Sequence, residues 1–347
     1  MRLHRLFIPA VLSLLLAGAG ASAAAQPTFP TKRQALSDVS QAFGFLYGQQ
    51  LTLEHIRTRY PGLAAQVKIA ESSINLAYSG ADTFLESVLV GVVGDDGFAE
   101  MTDHFYAEME GIPESQTQSR EDALAFLGEV RARAEDAQHI PSPIRELILT
   151  ATYADHPEQE LLDGHRAMFS TTGHDKSMGL DLTMTLPLSW LAREGRRPHI
   201  VQKWRSQGGH GRAEIMLLIQ DLGMPLTSEE VEEMMANEDF STWVPDEVEY
   251  LDASRLRIDN QPSVAIDYVL TQEVGTATVL IRTRQYQMFV DDKGIALQCQ
   301  AGAAVGDGPT AFETLDAARA SAAEVFAANE RLCYLTANSI VVDQIWR

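Results

Sequence analysis

Positive charge and cysteine are what this sequence has least of. Its 347 residues carry 27 Lys and Arg against 48 Asp and Glu, a formal net charge of -21, and only two cysteines, Cys299 and Cys333. The shortage of cations argues against a nucleic-acid partner, which needs clustered Lys and Arg to neutralise phosphates, and against adhesion to an anionic membrane surface. Catalytic signatures are missing as well. There is no Gly-x-Ser-x-Gly elbow, no Ser-x-x-Lys, no His-Glu-x-x-His and no phosphate loop, so no catalytic residue, metal ligand or cofactor is assigned.

Long apolar runs are confined to the start of the chain. Arg2 and Arg5 precede an apolar stretch from Leu6 to Leu16, and Ala21-Ser22-Ala23 or Ala23-Ala24-Ala25 supplies small residues for cleavage. That is the pattern of a secretory signal peptide, residues 1–25, and it is too short for a span of about 20 apolar residues. The expectation is an exported protein, periplasmic or secreted, with no transmembrane segment in the mature chain. In an oxidising compartment a pair of cysteines is more often bonded than metal-bound, so a disulfide between Cys299 and Cys333 is expected, with two separate buried thiols as the alternative.

Residues 26–165 read as an acidic helical domain. From Thr31 to His165 there are 22 Asp and Glu against 9 Lys and Arg. Helices are expected over Ser37–Gln50, Leu51–Tyr60, Leu63–Tyr78, Asp82–Val93, Gly97–Glu110, Arg120–Asp136, Ile144–Tyr153 and Pro157–Gly164, with Gly80, Gly94 and Pro61-Gly62 as breaks. Ser119-Arg120-Glu121-Asp122 places an N-cap three residues before an acid, and Leu124, Leu127 and Val130 recur on one face. Residues 166–178, with Ser170-Thr171-Thr172-Gly173, read as a linker.

Residues 179–347 change to strand patterning. Leu180 to Leu186 alternates, and His199 to Arg205 alternates with Lys203, Arg205 and His199 opposite Ile200 and Trp204. Gly208-Gly209-His210-Gly211 suits a hairpin connection, and Ala213 to Ile219 is apolar on both faces, as a covered central strand requires. Thr227-Ser228-Glu229-Glu230 caps a helix to about Asn237. Strands follow over Tyr250–Asp259, Ser263–Gln272, Ala277–Val290 and Ile295–Ala301, then an Ala-rich helix from Thr310 to about Leu332 and a closing strand, Ser339–Ile345. The fold class is α+β, an all-helical N-terminal domain followed by an antiparallel helix-sheet-helix sandwich.

Element order and four short stretches carry a resemblance. Leu186-Pro187-Leu188-Ser189-Trp190, Ser228-Glu229-Glu230, Arg257 to Ser263 and Ala337-Asn338-Ser339-Ile340 make the C-terminal half resemble the PsbP and DcrB type of exported protein. The resemblance implies a sandwich used for partner binding, assembly or envelope maintenance rather than catalysis. It covers about Leu180 to Arg347 and supplies no site residues.

The most distinctive chemistry is a local charge reversal. Arg193, Arg196, Arg197, Lys203, Arg205 and Arg212 are answered between Arg193 and Arg212 by Glu194 alone. Arg255 with Arg257, and Arg282 with Arg284, share strand faces in the same way. Three readings stand: a solvated sheet face, a dock for the acidic helical half, or a site for an anion or acidic partner at Arg196, Arg197, Lys203 and Arg205. Asp155, His156, Glu158, Glu160, His165 and His174-Asp175 lie close in sequence without the spacing of a metal site. The expected function is non-enzymatic binding of another envelope protein or a part in envelope assembly. The alternative is an exported hydrolase or metal-dependent enzyme with its site at the domain cleft.

Overall fold

The computed structural model describes residues 32–109, 111–306 and 311–346, so the signal-peptide reading of residues 1–25 lies outside the described residues. The chain divides between Ala154 and Asp155 into two compact units, the first helical and the second dominated by antiparallel sheet.

The helical unit holds α1 (Lys32–Arg59), α2 (Ala64–Ala77), α3 (Ala81–Met109), α4 (Ile112–Gln116), α5 (Arg120–Glu135) and α6 (Ile144–Thr152). The break expected after Gln50 does not occur, because Gln49 to Arg59 holds no Gly or Pro and Leu53 and Ile56 extend the buried side of one continuous helix. Gly94 does break α3, with φ 77 and ψ 169, a backbone state that residues with a Cβ rarely reach. The α5 cap forms as its sequence requires: Ser119 Oγ accepts from the Asp122 amide at 3.1 Å and the Asp122 carboxylate accepts from the Ser119 amide at 2.9 Å. Its buried stripe is Ala123, Leu127 and Val130, with Leu124 turned outward at 37% exposure. Val67, Ala70 and Ile74 of α2 form the matching 3-4 spaced stripe. Tyr78 closes that helix by donating to the Arg133 carbonyl at 2.6 Å, and burial, reinforced by Asp136, raises its pKa to about 12.

The second unit begins earlier than its strand pattern indicates. Helix α7 (Pro157–Leu162) belongs to it: Leu161 enters the sheet core, and the buried Glu160 carboxylate accepts from the Ser189 amide at 2.7 Å and from Ser189 Oγ at 2.5 Å. The stretch expected as a linker contains β1 (Arg166–Ser170), which pairs with β2 (Leu182–Pro187) from Arg166↔Pro187 to Ser170↔Thr183. Period-two patterning in β1 is masked by its exposure, since Met168 is 78% exposed. The expected closing strand shortens to β10 (Val341–Val342), which pairs with the other side of β2 to complete a three-stranded sheet.

The main sheet has seven strands in the order β3-β4-β5-β9-β8-β7-β6, every pairing antiparallel. They are β3 (Leu191–Glu194), β4 (Ile200–Arg205), β5 (Ala213–Asp221), β6 (Glu249–Ile258), β7 (Gln261–Val274), β8 (Ala277–Val290) and β9 (Lys293–Val305). The last four form the expected meander. The turn between β6 and β7 sits at Asp259 and Asn260, both at positive φ (48 and 62), one residue earlier than Pro262 led us to expect. Asp259 also ties down the C-terminal segment, its carboxylate accepting from the Val342 amide at 2.7 Å and the Trp346 indole at 2.9 Å.

Helix α8 (Ser228–Asn237) and helix α9 (Leu315–Asn338) complete the unit. Met184 and Leu186 of β2, Trp204 of β4, Ile215 and Leu217 of β5, Tyr286 and Met288 of β8 and Phe326 and Leu332 of α9 share one core on one face of the sheet. On the other face Val231 and Met235 of α8, with Phe240 and Trp243, pack on Val264, Ile266 and Phe289. Each fully buried side chain of this size contributes about 1.5–3 kcal/mol.

Several carboxylates have pKa values below their ordinary 3.8 (Asp) or 4.5 (Glu). Asp122 is lowered by hydrogen bonds from Ser119, Glu230 by those from Thr227, Asp239 by those from Ser241, and Glu249 first by its bond to Arg319. A depressed folded-state pKa adds stability that is complete above the ordinary value and lost as pH falls through the lower one. The thermal midpoint is therefore expected to hold down to about pH 5 and to fall below pH 4. The variant D122N/E230Q is expected to show a shallower fall in the same titration.

Candidate functional site

The charge reversal maps to one end of the main sheet. Strand β3 is its last strand and pairs on one side only, with β4. Arg193 stands opposite Lys203, and Arg205 opposite Glu214 of β5, so Arg193, Lys203, Arg205 and Glu214 occupy one face. Lys203 Nζ lies 3.0 Å from Glu214 Oε1 and Arg205 Nη2 3.2 Å from Oε2. A single carboxylate thus serves two cations of this face. The predicted anion site is to that extent already occupied at Lys203 and Arg205 by a side chain of this protein. The partner, Glu214, was in plain view as the first charged residue of the apolar return strand.

Arg196 and Arg197 lie apart from that pair, in the turn from β3 to β4. The turn is closed by Gly195, where a Cβ would stand 2.2 Å from the Ile200 carbonyl oxygen. Lys176 braces it, bonding to the Gly195 carbonyl and reaching Glu194 at 2.8 Å. The hydrogen bond from Lys176, then its charge, holds the Glu194 carboxylate below its usual range. His199 follows, its pKa lowered by burial and then by the Arg197 charge, which favours neutral imidazole. The expected alternation of β4 fails here. A register shift between Ile200 and Gln202 puts Ile200 on the Lys203 side, with Met216, Leu218 and Ala296, while Val201 and Trp204 enter the main core.

The other cation rows are on opposite faces of the sheet and do not join this corner. Arg255 reaches the carbonyls at the end of α8, Ala236 and Glu238 both at 3.3 Å. Arg282 and Arg284 face α9 and converge on the buried Asp267 at 2.6 and 2.9 Å, Arg284 reaching on to Glu330 at 2.5 Å. Both guanidiniums lie near the Phe326 ring, at 4.7 and 5.7 Å. Burial alone would lower the Arg284 pKa, but the Asp267 charge and the bonds to Asp267 and Glu330 outweigh it and hold it up. Here too the missing signal was the answering carboxylate, placed by strand register and by a helix distant in sequence.

Cys299 of β9 and Cys333 of α9 are free thiols, both buried in the main core. They stand near one another without reaching bonding distance, so the expected disulfide is absent from this structure. The strand fixes one thiol and the helix packing fixes the other.

Three of the His and acid residues between Asp155 and Asp175 are engaged separately. Glu158 faces Arg331 at 3.7 Å, Glu160 holds Ser189, and His174 Nδ1 accepts from the Lys176 amide at 3.2 Å. Among the described residues no group of three or more His, Cys, Asp or Glu is placed to hold a metal ion, and no single helix is long and apolar enough to cross a membrane. No protein-family model and no curated protein matches this sequence.

Proposed function

We propose that this is an exported, non-enzymatic binding module of the cell envelope, and that its partner presents clustered carboxylates or phosphates to the β3–β4 corner. The observation that carries the reading is the clustering of cations at that corner. Glu214 answers Lys203 and Arg205 together, Arg193 shares their face, and the adjoining turn adds Arg196 and Arg197, all within a chain of net charge -21. Guanidinium groups held on a closed turn at a sheet edge suit bidentate contact with carboxylate or phosphate. Cations at an edge also discourage strand pairing, so the same arrangement serves a plain solvated edge, and the experiment has to separate the two. The envelope role rests on the PsbP and DcrB resemblance of the C-terminal sequence, and export rests on the pattern of residues 1–25.

The test uses immobilised mature protein, residues 26–347, and its R196E/R197E variant, each exposed to envelope extract at low and at high salt, with retained proteins identified by mass. One protein held by the native form at low salt, released at high salt and lost by the variant is the expected result. Equal retention by both forms would assign the corner to solvent and reject the proposal.

A further inference from the structure

We propose that Cys299 and Cys333 form a redox-modification site, a dithiol that a disulfide-bearing oxidant converts into a covalent tie between β9 and α9. The dithiol is independent of the binding reading above and rests on placement. The two thiols come from different elements, are 0% and 3% exposed, belong to one core cluster and stand near one another short of bonding distance. They are the two cysteines of the whole sequence, so a linked form has one connectivity.

Their surroundings are those of a contact point between the sheet and its covering helix. Cys299 pairs in register with Arg284, whose guanidinium holds Glu330 of α9 one turn before Cys333. Tyr286 stands two residues further along the same face, buried, with its pKa pushed up by burial first and by the thiols next. Burial first, then the neighbouring Cys333 thiol, likewise raises the Cys299 pKa, with Arg284 opposing. Thiolate is the attacking species, so the closed core is a poor place for exchange to begin. Exchange therefore belongs to folding, or to moments when α9 lifts from the sheet.

The chemistry balances with a low-molecular-weight disulfide as oxidant. One thiol loses its proton and attacks the external disulfide, releasing one small thiolate and leaving a mixed disulfide on the protein. The second thiol then attacks that bond, releasing the other small thiolate. The net change is two protein thiols and one external disulfide giving one protein disulfide and two small thiols, with two electrons passed to the oxidant. The thiols already lie near one another in the core between helix and sheet, so closure calls for a shift of α9 over β9 and no change of strand register.

The experiment refolds the full chain from denaturant in a buffer of oxidised and reduced glutathione, quenches with an alkylating agent, and reads intact mass and peptide map. The expected product is lighter than the reduced protein by two hydrogens, takes up no alkylating group, and yields one peptide pair joining Cys299 to Cys333. Its thermal midpoint is expected to rise by several degrees over the reduced form, since a cross-link limits the unfolded chain. Two alkylated thiols, or glutathione adducts that persist in the refolded protein, would overturn the proposal. So would a linked form less stable than the reduced one. The variant C333A, which can form only a mixed disulfide at Cys299, confirms that the exchange reagent is active in each run.

Discussion

Replacing Asp267 by alanine is expected to destabilise the sheet unit by about 3–5 kcal/mol, the range for removing one partner from a buried ionic cluster. Asp267 is 5% exposed and receives Arg282 on one oxygen and Arg284 on the other. Without it two largely buried guanidiniums face each other from adjacent positions on one face of β8. Glu330 is a poor substitute, because it is about half exposed and already engaged by Arg284 alone. The Phe326 ring stabilises a cation weakly in comparison and remains in both forms. D267N should retain part of the loss, since an amide accepts from one arginine but carries no charge. Urea denaturation of D267A, R282A and the double variant provides the check: the double variant is expected to be less damaged than the sum of the singles, because R282A removes one of the stranded charges. A cost for D267A below about 1 kcal/mol would mean that water reaches the arginines and that the cluster is a surface feature.

That cluster also marks where sequence reading stops. Elements whose signals are local were legible. The Ser119 and Thr227 capping boxes, the break at Gly94, the β4–β5 hairpin and the four-strand meander each rest on residues within a few positions of one another. Strand β1 was not legible, because an exposed edge strand such as Arg166–Ser170 needs no buried alternate residues. The bulge at Val201 was missed for a related reason: one inserted residue in β4 moves Ile200 to the opposite face without altering composition. At the candidate site the cations were visible as a run, but their partners were not. Glu214 reaches Lys203 and Arg205 across a hairpin, Asp267 reaches Arg282 and Arg284 from the neighbouring strand, and Glu330 joins from α9. Charge runs can be counted in a sequence, whereas which charges are neutralised depends on register and packing.

Gly195 provides the sharpest separation between the fold of the β3–β4 corner and what it binds. Its missing Cβ is required by the chain itself, since the position 2.2 Å from the Ile200 oxygen is backbone and cannot rotate away. G195A must therefore open the turn, loosening the Gly195 to Val201 hydrogen bond and the Lys176 brace. A loss of about 2 kcal/mol or more is expected, at the upper side of the range for forcing an added methyl into a packed site. Partner retention should fall with it, because the turn carries Arg196 and Arg197. G211A is the matched control. Its Cβ would stand 2.0 Å from Ser206 Oγ, at the opposite end of β4 and away from the arginine turn. It is expected to lower the denaturation midpoint as well, yet to keep its partner when both variants are assayed at a temperature where each is folded. R196E/R197E should do the reverse, holding its midpoint and losing its partner. Loss of retention in G211A equal to that in G195A would show that binding follows overall stability, and the arginine turn would then have no special part in it.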